Sequence, residues 1–180
     1  LSRIADLQEL QLNAPDMAFV TLCRALKHDP ADAGVRDRLK RLGVKGGTVD
    51  DLCEVFEDEA LAAEVGGRGA LAAELREDAA TLYADAMGDL PRAIAAYEAI
   101  LEKNPGRLIP LEQLSVLYPK VGRFGDLEKA LRRRLMFKDE ARDRVPLLVE
   151  LGQVLADRLD RPDDAIPLLV EVRKLDMNSV

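Results

Sequence analysis

Between Gly88 and Pro105 the apolar side chains of "GDLPRAIAAYEAILEKNP" recur every three or four positions, at Leu90, Ala93, Ile94, Tyr97, Ile100 and Leu101. That period matches about 3.6 residues per turn and predicts an amphipathic helix. Pro91 costs little near its start, because first-turn N–H groups lack a helical acceptor in any case, and Pro105 stops it. A helix bounded this firmly implies that another folds back on it at a fixed interval.

The interval is found by sliding the chain along itself. At a shift of 75 residues "AFVTLCRALKHDP" (Ala18 to Pro30) falls on "AIAAYEAILEKNP" (Ala93 to Pro105) without a gap, and the match continues through Leu39 on Leu114, Leu42 on Leu117, Lys45 on Lys120, Gly47 on Gly122, Leu52 on Leu127 and Phe56 on Leu131. A partial third copy places Ala165, Ile166 and Leu169 on Ala93, Ile94 and Tyr97 at a shift of 72. Each unit divides again, since a small or apolar residue opens the second helix of each hairpin at Ala18, Leu52, Ala93, Leu127 and Ala165, in steps of 34, 41, 34 and 38. The two longer steps exceed the base step by about two turns and one turn, which lengthens a helix while keeping its apolar face on the core. Pro15, Pro91 and Pro162 stand at the starts of second helices, with Asp16, Asp89 and Asp163 where the helix dipole favours negative charge. Pro167, a few residues inside the last of these, predicts a bend or a later start.

A 34-residue helix-turn-helix period resembles the tetratricopeptide repeat family. Gly88, Asp89, Ala93, Tyr97, Ile100 and Pro105 match one part of that family's pattern, and Leu111, Leu114, Ser115 and Tyr118 match the other. The resemblance spans nearly the whole chain in about five hairpins. It implies an all-α, right-handed superhelical solenoid of antiparallel helix hairpins, one domain over residues 1–180. It also implies a concave groove for a partner protein or peptide, lined by first helices: Asp78, Leu82 and Asp85, then Glu112, Val116 and Lys120, then Glu150, Asp157 and Arg158.

Composition agrees with helix-on-helix packing. The chain is 48% hydrophobic but only 4% aromatic and has no tryptophan, so Leu, Val, Ile and Ala must build the core. A net charge of −7 argues against a general nucleic-acid or anionic-membrane binder. No apolar run approaches the roughly 20 residues that span a bilayer. The chain starts at Leu1 and stops just after a helix, so it is expected to be part of a longer protein, bacterial by its Ala, Leu, Arg and Asp content and cytoplasmic.

Candidate chemistry is sparse. His28 is the lone histidine, with no partner in sequence for acid–base work. "GVKGG" (Gly43 to Gly47) lacks the preceding strand and following Ser or Thr of a phosphate loop. No metal-ligand spacing occurs, so neither a catalytic residue nor a cofactor or metal is expected. Cys23 and Cys53 have the spacing of free thiols, and because they fall on Glu98 and Glu128 both are expected to be at least partly exposed.

The most informative charge feature is an inversion. Glu57, Asp58 and Glu59 fall on Arg132, Arg133 and Arg134 while the apolar frame is kept. Such runs are ordinarily solvated helix surface. The sharper alternative is electrostatic complementarity, with a partner or between two copies of the chain. The reading is a protein-interaction scaffold or adaptor. Its rival is a regulatory or self-assembly module of a larger enzyme or multidomain protein.

Overall fold

The computed structural model describes residues 1–177 and contains no strand among them. Its helices in chain order are α1 (Ser2–Leu10), α2 (Pro15–His28), α3 (Ala33–Gly46), α4 (Val49–Val65), α5 (Gly69–Asp85), α6 (Leu90–Lys103), α7 (Leu108–Lys120), α8 (Phe124–Leu135), α9 (Ala141–Gln153) and α10 (Pro162–Met177). A π-helical turn, Val154–Arg158, continues α9 without a break. Neighbours along the chain pack as α1 on α2, α3 on α4, α7 on α8 and α9 on α10, the hairpins that the repeat predicts. The chain divides into two compact units, Leu1–Ala96 and residues 97 onward, with the boundary inside α6.

In the first unit α2 packs on α3 and α4 on α5, so each second helix is sandwiched between two first helices. The core there runs through Ala5, Leu22, Leu39, Leu52, Phe56, Leu75 and Ala79, all fully buried. Burying each large apolar side chain contributes about 1.5–3 kcal/mol, enough to hold hairpins that are too small to fold alone. The second unit repeats the pattern, with Leu114, Leu127, Leu131, Leu148 and Leu151 buried.

The repeat register is visible in burial. Ala18, Leu52, Ala93, Leu127 and Ala165 are all at most 3% exposed. One helical turn further on, Leu22, Phe56, Tyr97 and Leu131 fill the next core position in four of the five copies and are fully buried. Leu169, its fifth occupant, is 52% exposed.

The two long steps lie where extra turns fit. Six of the seven additional residues are shared by α4 and α5, each 17 residues long against 14 in α2, α3 and α6, and the seventh lies in the connections. The four additional residues lengthen α9 into the π turn. Four residues overshoot a 3.6-residue turn by about 40° of rotation, and the wider π turn takes up that excess, keeping Val154 and Leu155 buried.

Local punctuation follows the sequence. α2 and α10 begin on Pro15 and Pro162, and Pro30 and Pro105 stand beyond the ends of α2 and α6. Asp89 accepts from the Arg92 N–H at 3.1 Å and Asp32 from the Val35 N–H at 3.1 Å, each satisfying a first-turn donor. Gly47 and Gly122, aligned in the two copies, both close a first helix with φ in the left-handed region, at 72° and 74°. Of the two readings of Pro167, a bend or a later start, the later start is excluded, because α10 starts at Pro162 and runs on through Pro167.

Candidate protein-interaction surface

In the first unit the first helices are joined by ion pairs across their exposed side. Arg38 and Arg41 of α3 reach Glu9 of α1 at 3.2 and 3.0 Å, and Arg38 also reaches Asp6 at 2.8 Å. On the other flank Arg36 meets Glu74 at 3.4 Å and Asp78 at 3.2 Å, and Lys40 donates to Asp78 at 2.7 Å. Burial opposes the charge on Lys40, yet hydrogen bonds to Asp78 and Asp37 outweigh it and raise the ammonium above its ordinary range. Asp78 is therefore committed to holding α5 against α3. Leu82 is corrected outright: it is buried in the core of this unit and offers a partner nothing, because α4 covers that side of α5. Asp85 is exposed at the end of α5.

Helix α7 of the second unit presents a different surface. Its core side buries Leu111, Leu114, Leu117 and Tyr118, while Ile109 and Val116 are 52% and 56% exposed. Seven residues is about two turns, so these two share a face. Glu112 lies between them, 4.0 Å from Arg134, and Lys120 follows one turn after Val116. Of the remaining expected groove residues, Glu150 is half-buried in α9, and Asp157 and Arg158 are exposed in the π turn, with the Arg158 guanidinium 5.2 Å from the centre of the Phe124 ring. Ile109 was missed in the sequence. Its signal was the seven-residue spacing to Val116 outside the core stripe.

The arginine run does not make one patch. Consecutive helical residues point about 100° apart, so Arg132, Arg133 and Arg134 face three directions. Arg132 pairs with Glu128 at 2.9 Å, Arg133 donates to the Pro105 carbonyl, and Arg134 leans towards Glu112. Of the acidic run, Glu57 meets Arg76 at 3.5 Å and Asp58 is exposed.

Cys23 is half-buried, as expected, but Cys53 is completely buried, which corrects the expectation for it. Its thiol lies 3.9 Å from the Ala79 carbonyl, and burial pushes its pKa up to about 11. The aligned Glu128 occupies the same position by reaching outward, where Arg132 and Arg161 hold its carboxylate at 2.9 and 2.8 Å. Sharing a position with a carboxylate did not mean exposure, because a glutamate stem spans what a thiol cannot. No cluster of His, Cys, Asp or Glu suited to a metal occurs among the described residues. None of their helices is long and apolar enough to cross a membrane.

No protein-family model and no curated protein matches the chain. Solved structures do. The "Crystal structure of MamA" superposes with a TM-score of 0.56 over 98% of this chain and 96% of that one at 14% identity, and a second MamA structure gives 0.56 over 97% and 89% at 14% identity. Full-length agreement at that score, on hairpins with a 34-residue base step, decides the architecture. The fold is tetratricopeptide-like. TTC0263, a thermophilic TPR protein in Thermus thermophilus, aligns over 98% of this chain and 97% of that one at 21% identity, with a TM-score of 0.43 that is too low to bear on the point. In a tetratricopeptide-like fold α3, α5 and α7 are first helices, so the ion-paired surface and the open one occupy the same kind of position.

Proposed function

We propose that the chain is a protein-interaction scaffold that takes an extended or helical segment of a partner protein on the exposed face of α7. The observation that carries this reading is the pair Ile109 and Val116, exposed on a first helix and flanked by Glu112 and Lys120. Apolar anchors two turns apart with charge beside them suit a segment that presents alternating apolar and charged side chains. Glu150, Asp157 and Arg158, from the following first helix, extend the recognised surface.

The test is site-specific photocrosslinking in the source cell, with benzoylphenylalanine at Val116 and, separately, at the aligned Arg41. A discrete adduct from Val116 that disappears on Ile109→Asp, with none from Arg41, is the expected outcome. Equal adducts from both positions, or none from Val116, overturn the reading.

A further inference from the structure

A cavity of about 480 Å³ opens in the first unit where the starts of α2 and α4 meet the end of α3. Phe19, Val20 and Leu42 form its apolar wall, and Asp16, Asp51 and Lys45 carry its charge. The aligned second copy shows what its wall lacks. Gly46 and Thr48, which line the cavity, fall on the larger Val121 and Arg123. Gly43 and Cys23, outside the lining, fall on Tyr118 and Glu98, and the space beside Gly43 is taken by Leu52 and Phe19.

In the second copy Tyr118, Arg123 and Glu98 interlock. The Arg123 guanidinium lies 4.9 Å from the centre of the Tyr118 ring, donates to Glu98 at 2.7 Å and pairs with Asp126 at 2.7 Å. The Tyr118 hydroxyl donates to the same Glu98 oxygen at 2.9 Å, and Lys129 adds a second cation on Asp126 at 2.9 Å. Asp126 falls on Asp51, so the first copy keeps the carboxylate and loses both cations, with Thr48 in place of Arg123 and Glu54 in place of Lys129. Neither Asp16 nor Asp51 forms a salt bridge among the described residues.

The geometry points to an arginine side chain of a partner protein as the occupant of this cavity. Its stem lies along Val20 and Leu42, and its guanidinium stacks on Phe19 and pairs with Asp51, with Asp16 across the mouth. Arginine suits the site better than lysine, because a planar guanidinium both stacks on a ring and forks onto a carboxylate, whereas an ammonium is a compact hydrated charge. Lys45 at the rim falls on Lys120, three residues before Arg123 in the second copy. The site is separate from the α7 face, and its failure leaves the α7 reading standing.

The test is an amide-resolved NMR titration of the chain with N-acetyl-arginine methylamide, against the neutral isostere N-acetyl-citrulline methylamide. Saturable shifts confined to residues around Phe19, Gly46 and Asp51 are expected with arginine and absent with citrulline. Asp51→Asn weakens binding about fivefold, the scale of one exposed charge pair. Thr48→Arg abolishes it by filling the cavity from within and raises the melting temperature. Should Thr48→Arg not fold, Asp51→Asn carries the test alone. Equal binding of citrulline, no saturable binding, or binding unchanged in Asp51→Asn overturns the proposal.

Discussion

Helices α3 and α7 hold the same place in the two 75-residue copies, yet Asp37, Lys40 and Arg41 of α3 fall on Glu112, Ser115 and Val116 of α7. The first set is tied up within the unit, through Lys40 to Asp37 and Asp78 and through Arg41 to Glu9. In the second, Ser115 is buried and donates to the Leu111 carbonyl, which leaves Val116 facing out. A repeat fold needs only its apolar frame to stack, so the polar positions are free to diverge. One copy uses them to hold its first helices together, and the other leaves them open.

The sharpest way to break the comparison is to exchange residues at a shared position. Cys53→Glu installs the residue of the second copy without its supports, because Arg132 falls on Glu57, Arg161 of the third copy falls on Asp89 at the shift of 72, and Arg92, a nearby cation, is already paired with Asp50 at 3.2 Å. A buried carboxylate without a cation costs about 3–5 kcal/mol, to be read as a lower urea midpoint. A loss below about 1 kcal/mol would mean that the position is far more adaptable than its burial indicates. The native thiol gives a companion measurement. Its folded pKa, about 11, lies above the ordinary 9.0, so its contribution to stability is complete below the unfolded value and is lost as pH rises through the folded one. At pH 8 an alkylating reagent should modify Cys23 well before Cys53.

Next in size is the ion-paired surface itself. Asp78→Ala leaves Arg36 with Glu74 alone and Lys40 with Asp37 alone, removes the link from α3 to α5 through Asp78, and should cost about 1.5–3 kcal/mol, the range for hydrogen bonds to charged groups. Glu112→Ala on α7 removes only a 4.0 Å contact to Arg134 and should cost less than about 0.5 kcal/mol. Similar losses for the two would erase the distinction between a closed and an open first-helix face.

The apolar frame was readable from the sequence because it repeats: Ala18, Leu52, Ala93, Leu127 and Ala165 were placed by their spacing alone, and all five are buried. The ion pairs were not readable, since Arg38 meets Glu9 and Lys40 meets Asp78 across 29 and 38 residues, at distances that only helix stacking brings together. Leu82 looked like a groove residue by resemblance and is core, buried in one cluster with Leu52, Cys53 and Phe56 of α4. The π turn was hidden too. Four surplus residues signal an extra turn but not how the leftover rotation is absorbed.

Smaller effects test whether the copies are equivalent where they agree. Gly47→Ala and Gly122→Ala each place a Cβ on a left-handed backbone with nothing within 4 Å to clash, so both should cost about 1–2 kcal/mol, and cost it alike. Unequal losses would show that one of the two turns relaxes.

The smallest effect belongs to Asp126. Hydrogen bonds from Lys129 and then Arg123 hold its carboxyl below the ordinary 3.8. A depressed carboxylate stabilises the fold above its unfolded pKa and loses that contribution as pH falls through the folded value. Lys129→Glu, which restores the residue of the first copy, should move the Asp126 titration upward in a carboxyl-detected NMR series while changing stability at neutral pH by only about 0.2–0.5 kcal/mol. An unmoved titration would assign the depression to Arg123 alone. Thr48, at the place of Arg123, would then be the substitution that deprives the aligned Asp51 of its depressing cation.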